Sequence, residues 1–250
     1  MRQWIGPAIL SALFALSAPP LFAQEAPSPP APPAPPWKAN LEFSYLETSG
    51  NTNTSALLAG GKGEYDFSES KILGEGRGLY GRSNGITSEK SWFFKAEYDY
   101  NLTERTVVFV LQSAERNTLK GIEGRYISQA GFGHYFLKSK ADVLKVEAGA
   151  GYTRENQVPP NPDRGFPNAR LSAGYTHNFS EKTQFEETGS YIPSLKYGKD
   201  YLMNEESAVT TNLAGHLALK VSYSIAYNNQ PPPGFKTTDR LFKTALLYTF

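Results

Sequence analysis

The amino-acid sequence predicts a single all-β transmembrane barrel, and three observations carry that prediction. The last strand alternates to the final residue: Phe242, Thr244, Leu246, Tyr248 and Phe250 share one face, while Leu241, Lys243, Ala245, Leu247 and Thr249 share the other. A secretory signal stands at the opposite end of the chain. Between them, no stretch after Ala23 approaches the ~18 consecutive apolar residues that a spanning helix needs; instead, segments of about ten to fourteen residues alternate in polarity between turn residues. Backbone polar groups must be satisfied internally in lipid, so an alternating all-strand chain crosses a membrane only as a closed barrel. The setting this implies is the outer membrane of a Gram-negative cell.

Composition narrows the partners. The chain has 250 residues with 25 Lys and Arg against 24 Asp and Glu, a net charge of +1, which gives no electrostatic reason for a nucleic-acid partner. A mean hydropathy of −0.44 would suit a water-soluble domain. A barrel, however, needs apolar residues only at alternate positions, so its average stays low. The 15 Tyr and 15 Phe suit the two interfacial girdles of such a barrel. There is no cysteine, which excludes a lipoprotein anchor and any disulfide.

In chain order, residues 1–23 read as a signal peptide: Arg2 supplies the positive start, Ile5 to Leu16 the apolar stretch, and Leu21-Phe22-Ala23 a small-residue cleavage site. Residues 24–36, almost all Pro and Ala, cannot pair as a strand and read as an extended periplasmic spacer, with docking by a partner as the alternative role. Residues 37–250 form the barrel. The alternation test places twelve strands, at 37–48, 54–67, 71–83, 89–102, 106–116, 124–136, 142–153, 167–179, 183–193, 203–213, 217–229 and 239–250. A count of ten stays open because strands 9 and 10 alternate weakly. Short turns follow strands 2, 4, 6, 8 and 10, and longer loops are expected after strands 3, 5, 7, 9 and 11, among them Arg154 to Pro167 and Asn229 to Thr238. Only the first connection, around Gly50 to Asn53, is short on the long side. This asymmetry places both termini in the periplasm.

The polar face of each strand must point into the barrel. That assigns Lys62, Arg77, Lys95, Arg125, Lys145, Arg170, Lys220 and Lys243 inward, against Glu42, Glu64, Asp66, Glu75, Glu97, Asp99, Glu147 and Glu186. The signs balance, which fits a narrow lumen crossed by ion pairs better than a strongly selective pore. Lys95, Glu97, Lys145, Glu147 and Arg170 are expected to pair across neighbouring strands, with Asp99, Lys220 and Lys243 lining the same space.

Motifs for chemistry are sparse. A lipid hydrolase would need a serine beside a histidine. The three histidines, His134, His177 and His216, fall near turn-side strand ends on separate strands, and no serine sits in a Gly-x-Ser-x-Gly setting. The same separation gives no metal site and no cofactor is expected. Glu97 and Asp99 share a face with Lys95, which favours ion pairing over acid–base work. Two features are odd. Gly61 and Gly63, and next to them Gly74, Gly76 and Gly78, share outward faces, as strand curvature or close packing requires, or as a patch for a partner protein or lipid would. Glu187 falls on the outward face of Phe185 and Tyr191, where a carboxylate is costly, so a bulge or a register shift is expected there.

Motifs spread over the barrel resemble a known family: Trp37 and its strand, Thr48-Ser49-Gly50-Asn51-Thr52, Gly124-Arg125, Gly131-Phe132-Gly133-His134-Tyr135, Glu147 to Glu155, Pro231 to Gly234, Asp239 and Leu246 to Phe250. Their order and spacing resemble the domain of unknown function 481 family, the YdiY-like or salt-induced outer-membrane proteins. The resemblance implies an outer-membrane barrel and supplies no catalytic residue. The last strand also resembles the signal read by the barrel-assembly machinery, through Lys243, Tyr248 and Phe250, although Ala245 stands where glycine is usual. The expected role is a narrow channel for small solutes or a structural envelope protein, surrounded by outer-membrane lipids and lipopolysaccharide. Osmotic or salt adaptation enters only through the family's name. A lipid-modifying enzyme and a partner-docking barrel are the alternatives.

Overall fold

The computed structural model describes residues 35–48 and 54–250. The expected signal peptide, nearly all of the Pro/Ala segment and the first connection around Gly50 to Asn53 lie outside the described residues. Among the described residues the chain forms twelve antiparallel strands: β1 (Trp37–Thr48), β2 (Thr54–Asp66), β3 (Ser70–Ser83), β4 (Ile86–Asn101), β5 (Thr106–Asn117), β6 (Ile122–Lys138), β7 (Asp142–Gln157), β8 (Arg164–Asn178), β9 (Thr183–Pro193), β10 (Tyr201–Ala214), β11 (Leu217–Asn228) and β12 (Thr238–Thr249). Each pairs with its sequence neighbours, and β1 pairs with β12 to close the ring. Closure leaves no unpaired strand edge, the condition for strands in lipid. It is made at Asn40↔Thr249 through Phe43↔Leu246, and the Phe250 amide donates to the Ala39 carbonyl at 3.0 Å. The open ten-strand count is therefore resolved as twelve.

Alternation decides which side each residue takes. Outward positions carry the exposed large apolar side chains, in two bands. Tyr65, Phe67, Tyr98, Tyr100, Phe136, Phe179, Tyr248 and Phe250 lie toward the turn end, and Tyr45, Tyr80, Tyr126, Tyr152 and Tyr191 toward the loop end. Such paired aromatic girdles flank the lipid-facing band of a membrane barrel.

Four expectations need correction. The connection after β3 is not a loop but the two residues Asn84 and Gly85, with φ of 48° and 81°. A two-residue hairpin with both central residues at positive φ suits the right-handed strand twist, and Asn-Gly is the pair that takes it at least strain. The longer connections are thus confined to 158–163, 194–200 and 229–237, while Thr118–Lys120 is one 3-10 turn. Next, β7 runs on to Gln157 and β8 begins at Arg164, so much of the expected loop 154–167 is strand.

Glu187 needs neither bulge nor register shift. It pairs in unbroken register with Tyr175 on β8 and Ser207 on β10, remains on the outward face, and accepts a hydrogen bond from Ser207 Oγ at 2.5 Å. Finally, part of the outward glycine patch is covered by its own neighbours. A Cβ on Gly61 would stand 2.8 Å from the Asn40 carbonyl oxygen and 3.2 Å from Leu41, and one on Gly76 would stand 3.0 Å from the Phe94 ring. These glycines let Leu41 and Phe94 lie across the neighbouring strand.

Candidate functional site

The inward face gathers charges into clusters. On β4, Glu97 and Asp99 are two residues apart and share a face, as do Lys145 and Glu147 on β7. Lys145 Nζ lies 2.5 Å from Asp99, 2.7 Å from Glu147 and 3.3 Å from Glu97. Glu147 in turn meets Arg170 at 3.3 Å and accepts from Ser172 Oγ at 2.8 Å, while Lys95 stands 3.8 Å from Glu75 and 4.0 Å from Glu97. To reach β4 the Lys145 stem crosses β6 and β5. It can do so because residue 133 is glycine: a Cβ there would stand 3.0 Å from Lys145 Cε and 2.9 Å from Val107.

A second cluster occupies the wall where the barrel closes. Lys220 Nζ lies 2.8 Å from Glu206 and 3.7 Å from Glu42, and Lys243 pairs with Glu42. A cavity of about 30 Å³ lies between β1–β3 and β10–β12, lined among others by Glu42, Lys62, Glu75, Arg77 and Lys220.

The two sides of the barrel differ in packing. Along β5–β8 the inward face is closely packed. Phe109 is fully buried against the backbone at Gly149, and Gln129, Asn168 and Thr153 form a buried hydrogen-bonded chain at 2.7 and 2.9 Å. Ile127 of β6 packs on Ile192 of β9 and Leu202 of β10, spanning the interior from one strand group to the next. Along β2 and β3 the inward charges are more accessible: Lys62 is exposed, and Arg77, 3.1 Å from Glu75 and over the Phe93 ring at 4.4 Å, keeps 49% of its side-chain surface accessible at mid-strand.

At the loop end a ladder of alternating charge closes the packed side. Arg125 joins Glu115 at 2.5 Å and Glu155 at 2.7 Å; Arg164 joins Glu155 at 2.9 Å and Asp200 at 2.9 Å. Asp200 lies in the connection 194–200, and burial pushes its carboxyl above the usual carboxylate range against the opposing pull of Arg164. The connections are knit together around it. Val158 N donates to the Gly121 carbonyl, Asn229 N to that of Tyr201, and Asn229 Nδ2 to that of Lys199. A cavity of about 360 Å³ opens between them, lined by Gln157, Asp163, Arg164, Tyr197, Gln230 and Pro231–Pro233 among others.

Lys95, Glu97, Asp99, Lys145, Glu147, Arg170, Lys220 and Lys243 each hold an ion pair, and not only between neighbouring strands. Sequence reasoning missed Glu115, Glu155, Arg164, Asp200 and Glu206. Glu155 and Arg164 lay in what read as a loop, and Glu206 in a strand of weak alternation. It also missed that Glu97, Asp99 and Glu147 bring three carboxylate oxygens within 4.8 Å of one another. A cation is already supplied there, since the Lys145 ammonium sits among all three. The histidines do not gather. His134 meets Thr106 at 3.1 Å, His177 meets Asp142 at 2.8 Å, and His216 meets the Thr249 carbonyl at 2.7 Å, all in the turn-end aromatic band. Tyr248 and Phe250 pack edge to face at 5.0 Å in that band.

Residues 41–250 match the family described as "Protein of unknown function, DUF481". A curated relative, "Uncharacterized protein YdiY" of Escherichia coli (strain K12), is 26% identical over 214 residues, covering 85% of this chain and 83% of the relative. Among solved structures, the translocator domain of the autotransporter NalP from Neisseria meningitidis aligns with a TM-score of 0.49 at 11% identity, covering 86% of this chain and 88% of that one. The NanC porin aligns at 0.47 and 9%, covering 84% and 97%, and the KdgM porin at 0.47 and 9%, covering 85% and 99%. At such low identity the likeness concerns the fold alone.

Proposed function

We propose that this chain, which belongs to the domain of unknown function 481 family, is a narrow water-filled channel of the outer membrane that passes small solutes. The observation that carries the reading is Arg77. An inward guanidinium at mid-strand that pairs with Glu75 at 3.1 Å and still keeps half its side-chain surface accessible supports water inside the barrel at that depth. The wet strip runs along β2 and β3 and is bounded by the Lys145 cluster on one side and the Lys220 cluster on the other. Opposite charges in both clusters fix the width of the strip without giving it a net sign, so weak ion selectivity follows. The long connections belong outside and both termini in the periplasm, as the asymmetry between 158–163, 194–200, 229–237 and the short turns supports. Tyr248 and Phe250 serve as the signal for the barrel-assembly machinery, and lipopolysaccharide and phospholipid surround the aromatic girdles.

Osmotic adaptation is the physiological setting this suits, because a narrow conduit equilibrates small solutes without admitting large ones. The packed β5–β8 wall supports a second reading, a structural barrel whose interior does not conduct. Liposome swelling separates them: refolded protein should let vesicles swell in small sugars, and vesicles that do not swell would refute the channel.

A further inference from the structure

The lipid-facing surface is electrically lopsided. Cations stand outward at the loop end of four of the five strands β3–β7: Arg82 on β3, Lys90 on β4, Arg116 on β5 and Arg154 on β7, all exposed. Register shows what lies beside them. Lys90 is the direct cross-strand partner of Tyr80, Arg116 of Trp92, and Arg154 of Tyr126. Each of these three cations is thus held at the level of an aromatic ring in the loop-end girdle, where hydrocarbon gives way to headgroups. Among the described side chains, only Arg116 has a carboxylate partner in this arc, Glu123 at 2.7 Å; Arg82 donates to the neutral Gly85 carbonyl at 2.8 Å. The outward positions of β8–β11 carry no Lys or Arg, and two of them, Glu187 and Glu205, are acidic.

We propose that the arc Arg82, Lys90, Arg116 and Arg154 is a binding site for phosphorylated lipid headgroups in the leaflet at the loop end. Four exposed cations with one compensating acid among the described side chains leave an excess of positive charge at headgroup depth. Arginine there presents the planar fork that matches a phosphate in two parallel hydrogen bonds, and lysine adds a point charge. Tyr80, Trp92 and Tyr126 beside them, with Phe94 and Tyr152 one step further from the loops, offer ring faces to the sugar or glycerol unit and acyl chains below. Strand spacing sets the reach: from β4 to β7 is three strand steps, roughly 14 Å, wide enough to engage more than one phosphate at once. With no outward Lys or Arg on β8–β11 and the single outward Arg240 on β12, lipid of this kind is concentrated on the β3–β7 side of the barrel. A soluble anion lacks the acyl chains that would use the girdle, so the ligand is a membrane lipid.

The site rests on the orientation proposed above but not on conduction, and the two are read separately. Accessibility of an epitope inserted in 229–237 on intact cells reports orientation. Lipid binding is measured on the folded barrel in vesicles of phosphatidylcholine containing either diphosphorylated lipid A or its dephosphorylated form, by counting co-purified lipid. The wild-type chain should retain the phosphorylated lipid preferentially, less so as salt rises, and the fourfold Arg/Lys→Gln variant should lose retention by roughly tenfold or more. A variant with Lys138→Gln and Lys140→Gln at the turn end should retain it as wild type does. Heat-modifiable migration shows that each variant is folded. Equal retention of both lipids by wild type would overturn the proposal without any variant, as would undiminished retention by the folded fourfold variant.

Discussion

Lys145 on β7 and Asp99 on β4 lie 2.5 Å apart, although β5 and β6 stand between their strands. The ion pair is a chord drawn inside the wall. It ties together strands that share no backbone hydrogen bonds and buries three carboxylates around one ammonium. Removing the cation from such a cluster leaves uncompensated buried charge.

Lys145→Met should therefore destabilise the barrel by about 3–5 kcal/mol, the range for breaking a buried pair from one side. Urea unfolding of the refolded protein in lipid measures it. A loss below about 1 kcal/mol would show that solvent, not Lys145, neutralises Glu97, Asp99 and Glu147.

The chord depends on an absent side chain. Gly133→Leu should force the Lys145 stem off its path and cost stability comparable to Lys145→Met. Gly74→Ala, on the outward face with nothing within 4 Å of the added methyl, should be neutral or slightly stabilising. Unfolding midpoints of the two variants that move together would count against the crossing.

Glu187 offers the reverse experiment. It faces outward beside Tyr175, with Ser207 as its hydrogen-bond donor. In lipid a carboxylate there is a cost, so Glu187→Leu should hold or raise stability by up to about 1 kcal/mol in the same assay. A clear loss would mean that the carboxylate answers a partner rather than lipid.

At the loop end, Arg164 and Asp200 should respond in opposite ways. Arg164→Gln strands the buried carboxylates Glu155 and Asp200, and should make 194–200 and 229–237 easier to cleave with protease. Asp200, by contrast, has a raised pKa because burial disfavours its ion. The folded chain then binds its proton more readily than the unfolded chain, and the cost of the ion disappears as pH falls through the folded pKa. Asp200→Asn should accordingly leave the loops at least as protected as wild type near neutral pH. Increased cleavage would contradict that sign.

How much of this was legible follows from the period of a strand. Residues such as Lys95, Glu97, Lys145 and Glu147 sit in long runs of clean alternation, so their face could be read directly. The pairing of Lys145 with Asp99 could not, because alternation fixes the side of the sheet and says nothing about strands that are not neighbours. Glu155 and Arg164 escaped because Pro159, Pro160 and Pro162 between them look like the start of a loop, whereas the strands persist almost to the prolines. The Asn84-Gly85 pair is itself a hairpin signal in the sequence, one that the expectation of long loops on that side does not use. Glu187 defies the rule that a lipid-facing carboxylate is too costly to keep because a serine on the next strand, Ser207, donates to it.

Single-channel recording in a planar bilayer decides whether water runs through the barrel. The wild-type chain should give discrete, weakly selective conductance steps. Arg77→Gln, along the wet strip, should change their size more than Arg170→Gln, which lies among buried partners on the packed wall. Absence of steps from refolded, correctly migrating protein, together with vesicles that fail to swell in small sugars, would show that the interior is closed and that the chain is a structural barrel.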